Sequence, residues 1–425
     1  MDNDSPRICV IGAGCSGLAA IKNLADAGFG KIVCYEQNPW IGGNWKYTSE
    51  SSHSSVCSTT HIISSKKLSE YSDFPMPDDY PDYPSHEQLL AYFESYAEKF
   101  GLKEYIRFNS KVAHIEKEGD GWIVELESGT KESFDYLLVA NGHHSVPNHP
   151  EFKDAFKGEY MHSHDFKNNS GFEGKRVLVI GAGNSGCDCA VEISRAADHV
   201  AMSLRTAQYI VPKFFLGKPA DSFAESTLCL PNFVRNFLLK LSLRFQVGKY
   251  SDYGLPEPKH GVLEAHPTMN SELLYKIRHG KVHPRAGIKE VNGTTVTFKD
   301  GKEEDFDVMV AATGYNIETA FFDKDFIDYS ESDRVELYLR MIHPDHPSLF
   351  FIGLFQPQGA IWPGSDLQSK LAAGIIKGTV KLPSNIRELA SRESDEIDKR
   401  YLKRKRHTIE VDYHEFMGRL RKQLA

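Results

Sequence analysis

The strongest constraint on this chain is a pattern it carries twice: residues 7–17 read RICVIGAGCSG and residues 176–186 read RVLVIGAGNSG. Each copy joins an apolar run, long enough for one buried parallel strand, to a Gly-x-Gly-x-x-Gly turn. A helical pattern comes next, LAAIKNLADAG in the first copy and CDCAVEISRAA in the second. A strand feeding a helix through such a turn is half of a parallel crossover unit, so two copies predict two α/β units with mostly parallel sheets.

The turn fixes which positions must be glycine. Gly12 and Gly181 make the tight bend, Gly14 and Gly183 let a pyrophosphate approach the backbone, and Gly17 and Gly186 let helix and strand pack closely. The helix N-terminus then offers unpaired N–H groups to the phosphates. The expected fold is therefore two Rossmann-like dinucleotide-binding domains, each a three-layer α/β sandwich.

The end of the second strand in each copy separates the two ligands. After the first helix the strand KIVCYE ends at Glu36, about 20 residues past the glycines, where a carboxylate accepts from ribose hydroxyls; this suits FAD or NAD. After the second helix, HVAMSLRT brings Ser203 and Arg205 and no acid, which suits the 2′-phosphate of NADPH. The alternative for Glu36 and Arg205 is a solvated charge at a strand end. Two further buried runs, FDYLLVANGHH and FDVMVAATGY, each come after a hairpin-like stretch and close one unit. The expected layout is a first domain over 1–168, an inserted second domain over 169–315, and the remainder of the first, with C-terminal helices, over 316–425.

With 425 residues, two or three domains are allowed. The net charge of -8 gives no global field toward nucleic acid. Seven scattered cysteines, an odd number, read as free thiols in a reducing compartment and suggest no metal site. The N-terminus lacks the basic-then-apolar layout of a signal peptide, and no run nears the roughly 18 apolar residues that span a bilayer; a cytoplasmic chain is expected. DFPMPDDYPDYP reads as a loop, and HEQLLAYFESYAEKFG as an amphipathic helix ending near Gly101. Within 216–264, LPNFVRNFLLKLSLRFQVG reads as an amphipathic helix over a site or as a buried one. The basic run Lys399–Arg406 reads as a solvated helix face.

Over nearly its whole length the chain resembles the flavin-containing monooxygenases, within the class B flavoprotein monooxygenases. The fingerprint F-x-G-x-x-x-H-x-x-x-(Y/F) stands as Phe156, Gly158, His162 and Phe166 just ahead of the second glycine turn. QNPWIGGNWKY resembles the family's G-G-x-W stretch, which puts Gly43, Asn44 and Trp45 beside a flavin; VAATGYN, with Thr313 and Gly314, resembles the A-T-G-Y link between domains; GLFQPQGAIWPG, with Gln356, resembles the C-terminal part of the FAD domain. The resemblance adds Cys15 and Ser16 to the FAD site, and Asn184, Ser185 and Asp188 to the NADPH site. One departure is clear: Ile63 occupies the position where many members place an Asn beside flavin and nicotinamide, with Ser64 next to it. No side chain is assigned as a catalytic acid or base.

The resemblance implies NADPH- and O2-dependent oxygenation of small amines or thioethers through a flavin hydroperoxide, by a soluble, shorter member of the family that is a homodimer. Three rivals accompany it: Baeyer–Villiger oxygenation of ketones, which wants a cation near the reacting centre; a flavin disulfide reductase, for which Cys187 and Cys189 are poorly placed; and a non-catalytic FAD/NADPH-binding sensor.

Overall fold

The computed structural model describes residues 5–50, 53–264, 268–330, 332, 334–401 and 408–424. The chain divides into two compact units, one of residues 1–46, 66–146 and 315–425 and one of 47–65 and 147–314. Residues 402–406 of the basic run lie outside the described residues.

The first unit is built on a six-stranded sheet ordered 342–343, 346–351, 136–139, 8–11, 32–35, 106–107. All neighbours are parallel except the pair at the 342–343 edge. The central strands Ile8–Ile11 and Ile32–Tyr35 are buried at every position, as expected of strands covered on both faces. Helix Cys15–Asp26 packs on helix Trp362–Ile376, which in turn packs on Tyr413–Leu424. The first hairpin-like stretch is an antiparallel three-stranded sheet, 112–118, 121–126 and 131–134. Its Trp122, Val124 and Phe134 join Cys9, Tyr35 and Leu137 of the main sheet in one apolar core. The predicted amphipathic helix spans His86–Lys99 and starts in a capping box of Ser85 and Gln88.

The second unit repeats the plan with a five-stranded parallel sheet ordered 283–285, 199–203, 176–180, 308–311, 159–162. Its antiparallel sheet, 288–292, 295–298 and 303–305, covers one face through Val296, Phe298 and Phe306. On the other face lies helix Asn184–Ile193, with Ala190 and Ile193 in the core.

The two matched units of the sequence are therefore present, but their limits differ from the expected ones. Strand Glu159–His162 pairs in register with Val308–Ala311, so the second unit begins at 147 rather than 169. Residues 47–65 also belong to it: the Ser58 amide donates to the Lys167 carbonyl at 2.8 Å, and the Lys167 ammonium donates to the Ser54 carbonyl. No periodicity marks this Ser/His-rich stretch, and its partners are far away in sequence. Among the described residues, no helix is long and apolar enough to cross a membrane.

Candidate nucleotide-binding sites

In the first unit the glycine turn has the geometry that the sequence demands. Gly12 sits at φ 94°, and a side chain there would meet the Ala140 carbonyl oxygen at 2.8 Å. A Cβ on Gly17 would lie 1.8 Å from the Gly12 carbonyl oxygen, so helix and turn touch backbone to backbone. Gly14 differs: a Cβ there would meet Gly43 Cα at 3.7 Å, an ordinary contact, so no protein atom itself forbids a side chain. Gly43 lies against it, on a turn fixed by the Gly42 amide donating to the Ala13 carbonyl at 3.0 Å.

Helix Cys15–Asp26 receives no side-chain cap and has no acid in its first turn, unlike the capped helix His86–Lys99. Its first N–H groups and positive dipole end are left for an anion. Glu36 is buried and folds toward the turn: one carboxylate oxygen accepts from the Ala13 amide at 2.8 Å, the other from the Asn38 amide and side chain, each at 2.8 Å. Two oxygens offer about four lone pairs, so a site for ribose hydroxyls remains. Burial pushes the Cys15 thiol up to about 11, so it stays protonated, and Ser16 is fixed by a 2.8 Å hydrogen bond to Ser365. Trp45 meets Trp362 edge to face at 5.8 Å. Gln356 is hydrogen-bonded to the buried His143 at 3.1 Å, and burial holds His143 below the ordinary imidazole value, hence neutral.

The second unit reproduces this turn closely. Gly181 has φ 105° and abuts the Ala312 carbonyl, and a Cβ on Gly186 would lie 2.2 Å from the Gly181 carbonyl oxygen. Gly183, like Gly14, is an extended N-cap, with φ,ψ of -75°, -179° against -74°, -176°. The helix again lacks a side-chain cap and an acid in the first turn. The difference lies at the strand end. The Glu36 amide donates to the Arg107 carbonyl on the neighbouring strand, and the equivalent donor is the amide of Leu204, to Arg285; both bonds are 3.0 Å. A buried leucine thus stands where the first unit has its carboxylate, and Arg205, the next residue, is exposed. Ser203 donates to the Ala286 carbonyl at 2.9 Å, leaving its lone pairs as acceptors.

Three residues, Lys213, Asp188 and Asn270, were not legible as a group. Lys213, on the segment after the second strand, donates to the Ile62 carbonyl at 3.1 Å. Asp188 accepts from Asn270 at 2.8 Å, and its carboxyl is pushed up to about 6 by desolvation, against the pull of Lys213. Desolvation also holds Lys213 below the usual ammonium range. A lone Lys in VPKFF and an Asn in TMN carry no spacing signal. Asn184 spends its side-chain oxygen on the Met269 amide at 2.8 Å. Ser185 is exposed at the helix start. Ile63 is half-buried and Ser64 buried, and both lie in the second unit rather than the first.

The fingerprint residues pack. Phe166 is in the main core of the second unit, and a side chain on Gly158 would strike the Asp307 carbonyl and the Phe156 ring. His162 ends the edge strand, with its Nδ1 accepting from the His164 amide at 3.1 Å; burial, with His149 and His164 nearby, lowers its pKa to about 4. Thr313 donates to the Asn148 carbonyl, and Gly314 is the last residue of the second unit. Cys187 and Cys189 are buried, with thiols pushed well above the ordinary range, and suit no redox exchange.

The family described as flavin-binding monooxygenase-like matches residues 5–425. Human flavin-containing monooxygenase 5 is 39% identical over 97% of this chain and 82% of its own length. Rat dimethylaniline monooxygenase (N-oxide-forming) 2 is 34% identical, with the same coverage of 97% and 82%. The structure of S-allyl-L-cysteine S-oxygenase from Allium sativum superposes with a TM-score of 0.74 at 22% identity, covering 99% of this chain and 88% of that one.

Proposed function

Because this chain belongs to the flavin-binding monooxygenase-like family, we propose that it oxygenates soft nucleophiles, the nitrogen of small amines or the sulfur of thioethers, in the cytoplasm. It is a flavin-dependent monooxygenase whose cofactors are FAD and NADPH and whose oxidant is O2. The observation that supports the assignment of each cofactor to its unit is the contrast between two matched glycine turns, one ending in buried Glu36 and the other in Leu204 and exposed Arg205. The seven free cysteines support a reducing compartment.

The two units divide the binding work. Gly12, Gly14 and Gly17, with Cys15 and Ser16 on the first helical turn, would hold the FAD pyrophosphate, Glu36 its ribose, and Gly43, Asn44 and Trp45 the wall opposite Gly14. Gly181, Gly183 and Gly186, with Asn184 and Ser185, would hold the NADPH pyrophosphate, and Arg205 its 2′-phosphate. The chemistry supplied by bound FAD is hydride acceptance from NADPH and activation of O2. The chain's own task is to bind, orient and exclude water. His143 and His162, both buried and held neutral, are not imidazolium acids at pH 7.

The test is direct. The purified chain should be yellow; NADPH without air should bleach it; and air with an amine or thioether should restore the colour with stoichiometric product. Protein that carries no flavin, or flavin that NADPH leaves unbleached, overturns the reading. A second reading, Baeyer–Villiger oxygenation of ketones, is favoured by one observation, the Lys213 ammonium beside the 61–65 segment. Lactone or ester formation from a ketone panel, lost in Lys213→Met, would decide for it.

A further inference from the structure

Residues 62–65, which include the departure Ile63, are held by two charged side chains from one hairpin of the same unit. The hairpin pairs Phe214–Phe215 with Lys218–Pro219 and is closed by the Ala220 amide donating to the Lys213 carbonyl at 2.9 Å. At one end of it the Lys213 ammonium donates to the Ile62 carbonyl at 3.1 Å. Just past the other end, Asp221 Oδ2 accepts from the Ser65 amide at 2.6 Å. Ile63 and Ser64 lie between these two anchors.

The Asp221 anchor has capacity left over. Its Oδ1 is shut off from solvent and accepts from no group among the described residues, where the carboxylate also forms no ion pair. Ser65 is 3% exposed, and its hydroxyl is likewise without a partner. An acid in a first helical turn, here that of Ala220–Ser226, is ordinary because it faces the helix's own N–H groups. This one turns to Ser65 instead, and no side chain caps the helix. A carboxylate oxygen withheld from both water and donors is costly, and the idle hydroxyl beside it adds to the deficit. A carboxylate oxygen only accepts, so a donor must satisfy it, and a charged donor answers its charge as well.

We propose that Asp221 Oδ1 and the Ser65 hydroxyl together receive a protonated amino group of the substrate, which makes Asp221 a residue that sets specificity. The inference rests on the soft-nucleophile reading for the identity of its ligand. A nitrogen held in this way is not the atom oxygenated, because a protonated nitrogen has no lone pair to attack with. The substrate class is therefore bifunctional: a thioether sulfur or an unprotonated amine nitrogen at one end, and an ammonium at the other. Lys213 disfavours a second cation at the Ile62 end, which directs the ammonium to Ser65.

The experiment is calorimetric titration of the FAD-loaded full chain, without NADPH, using 2-(methylthio)ethylamine and its neutral counterpart 2-(methylthio)ethanol at pH 7.5, where the amine is protonated. The ammonium probe should bind about tenfold tighter. Asp221→Asn, which keeps an oxygen for the Ser65 amide, should bring the two affinities to within about twofold. Ser65→Ala should narrow the preference about threefold, and Glu225→Gln, on the same helix, should leave it unchanged. Equal affinities in the unmutated protein overturn the proposal. So does a preference that survives Asp221→Asn; if NADPH binding weakens in that variant, Oδ1 belongs to the nicotinamide carboxamide instead. The two readings fail separately. A tenfold preference with neither probe oxygenated overturns soft-nucleophile oxygenation and leaves this site standing, whereas oxygenation of both probes at equal affinity overturns this site alone.

Discussion

The two glycine turns are nearly superimposable in their backbone geometry, and two of their side-chain differences matter most to this comparison. Both place the first glycine at positive φ against an alanine carbonyl, both close the third glycine onto the first, and both leave the middle one extended at an uncapped helix. At the strand end one has Glu36 and the other Leu204 with Arg205 next to it. On the helix, Ala19 of the first turn corresponds to Asp188 of the second. The shared part meets the demand shared by all dinucleotides, a pyrophosphate against backbone N–H groups. The divergence at the strand end is what supports the proposed division between FAD and NADPH, a ribose that is bare or phosphorylated.

The largest expected effects test the shared part. Gly17→Ala and Gly186→Ala each drive a methyl group into a carbonyl oxygen of the turn, so each should cost about 4 kcal/mol or more and remove its unit from the soluble, folded fraction. Soluble, fully flavinated Gly17→Ala protein would show that the turn is looser than this close packing implies. Gly14→Val is different in kind, because a Cβ there meets only Gly43, at an ordinary contact of 3.7 Å, and no carbonyl oxygen. It should fold, with unchanged circular dichroism, yet retain less than a tenth of its flavin; the equivalent Gly183→Val should stay yellow and lose NADPH. A variant that loses both cofactors would break the division of labour between the turns.

Next in size is the strand end. Arg205→Ala should raise the KM for NADPH about tenfold, a charge-assisted contact discounted for exposure, and leave that for NADH unchanged. Equal kinetics with the two cofactors in the unmutated enzyme would leave Arg205 no part in choosing between them.

Much of this comparison was legible in the sequence because it rests on local rules. Strands 8–11 and 176–180, their turns and helices, and both antiparallel sheets arise from a continuous apolar run, glycine spacing and alternation. The parts that were not legible depend on contacts between distant segments. Residues 47–65 join the second unit through Lys167 and Lys213, and no residue in that stretch announces it. Helix Asn232–Gln246 could be read as amphipathic, but not that Phe233, Phe237 and Phe245, on the side away from the core, stay exposed, since exposure is decided by what fails to pack there. The fingerprint is visible as a pattern; its residues prove to be packing positions, and His162 is buried and neutral.

The smallest expected effect concerns the other divergent position. Asp188 stands where the first turn has Ala19, and desolvation of its carboxyl makes it titrate near 6 rather than 3.8. Raised in this way, it binds its proton more tightly in the folded chain than in the unfolded one. The folded state therefore takes up more protons between pH 4 and 6, and stability falls as pH rises through that window. Above it the ionised group carries a desolvation cost that Asn270 and Lys213 offset only in part. Asp188→Asn keeps a side-chain oxygen for Asn270 and removes the titration. Relative to the unmutated protein it should lose ground or break even at pH 4 and gain on the order of 1 kcal/mol by pH 7.5. Urea unfolding of both proteins at these two pH values, with FAD saturating, measures the change in the gap between them. If the two stability curves run parallel across pH 4 to 7.5, Asp188 does not titrate in that window, and the strand end carries the weight of the difference between the two turns.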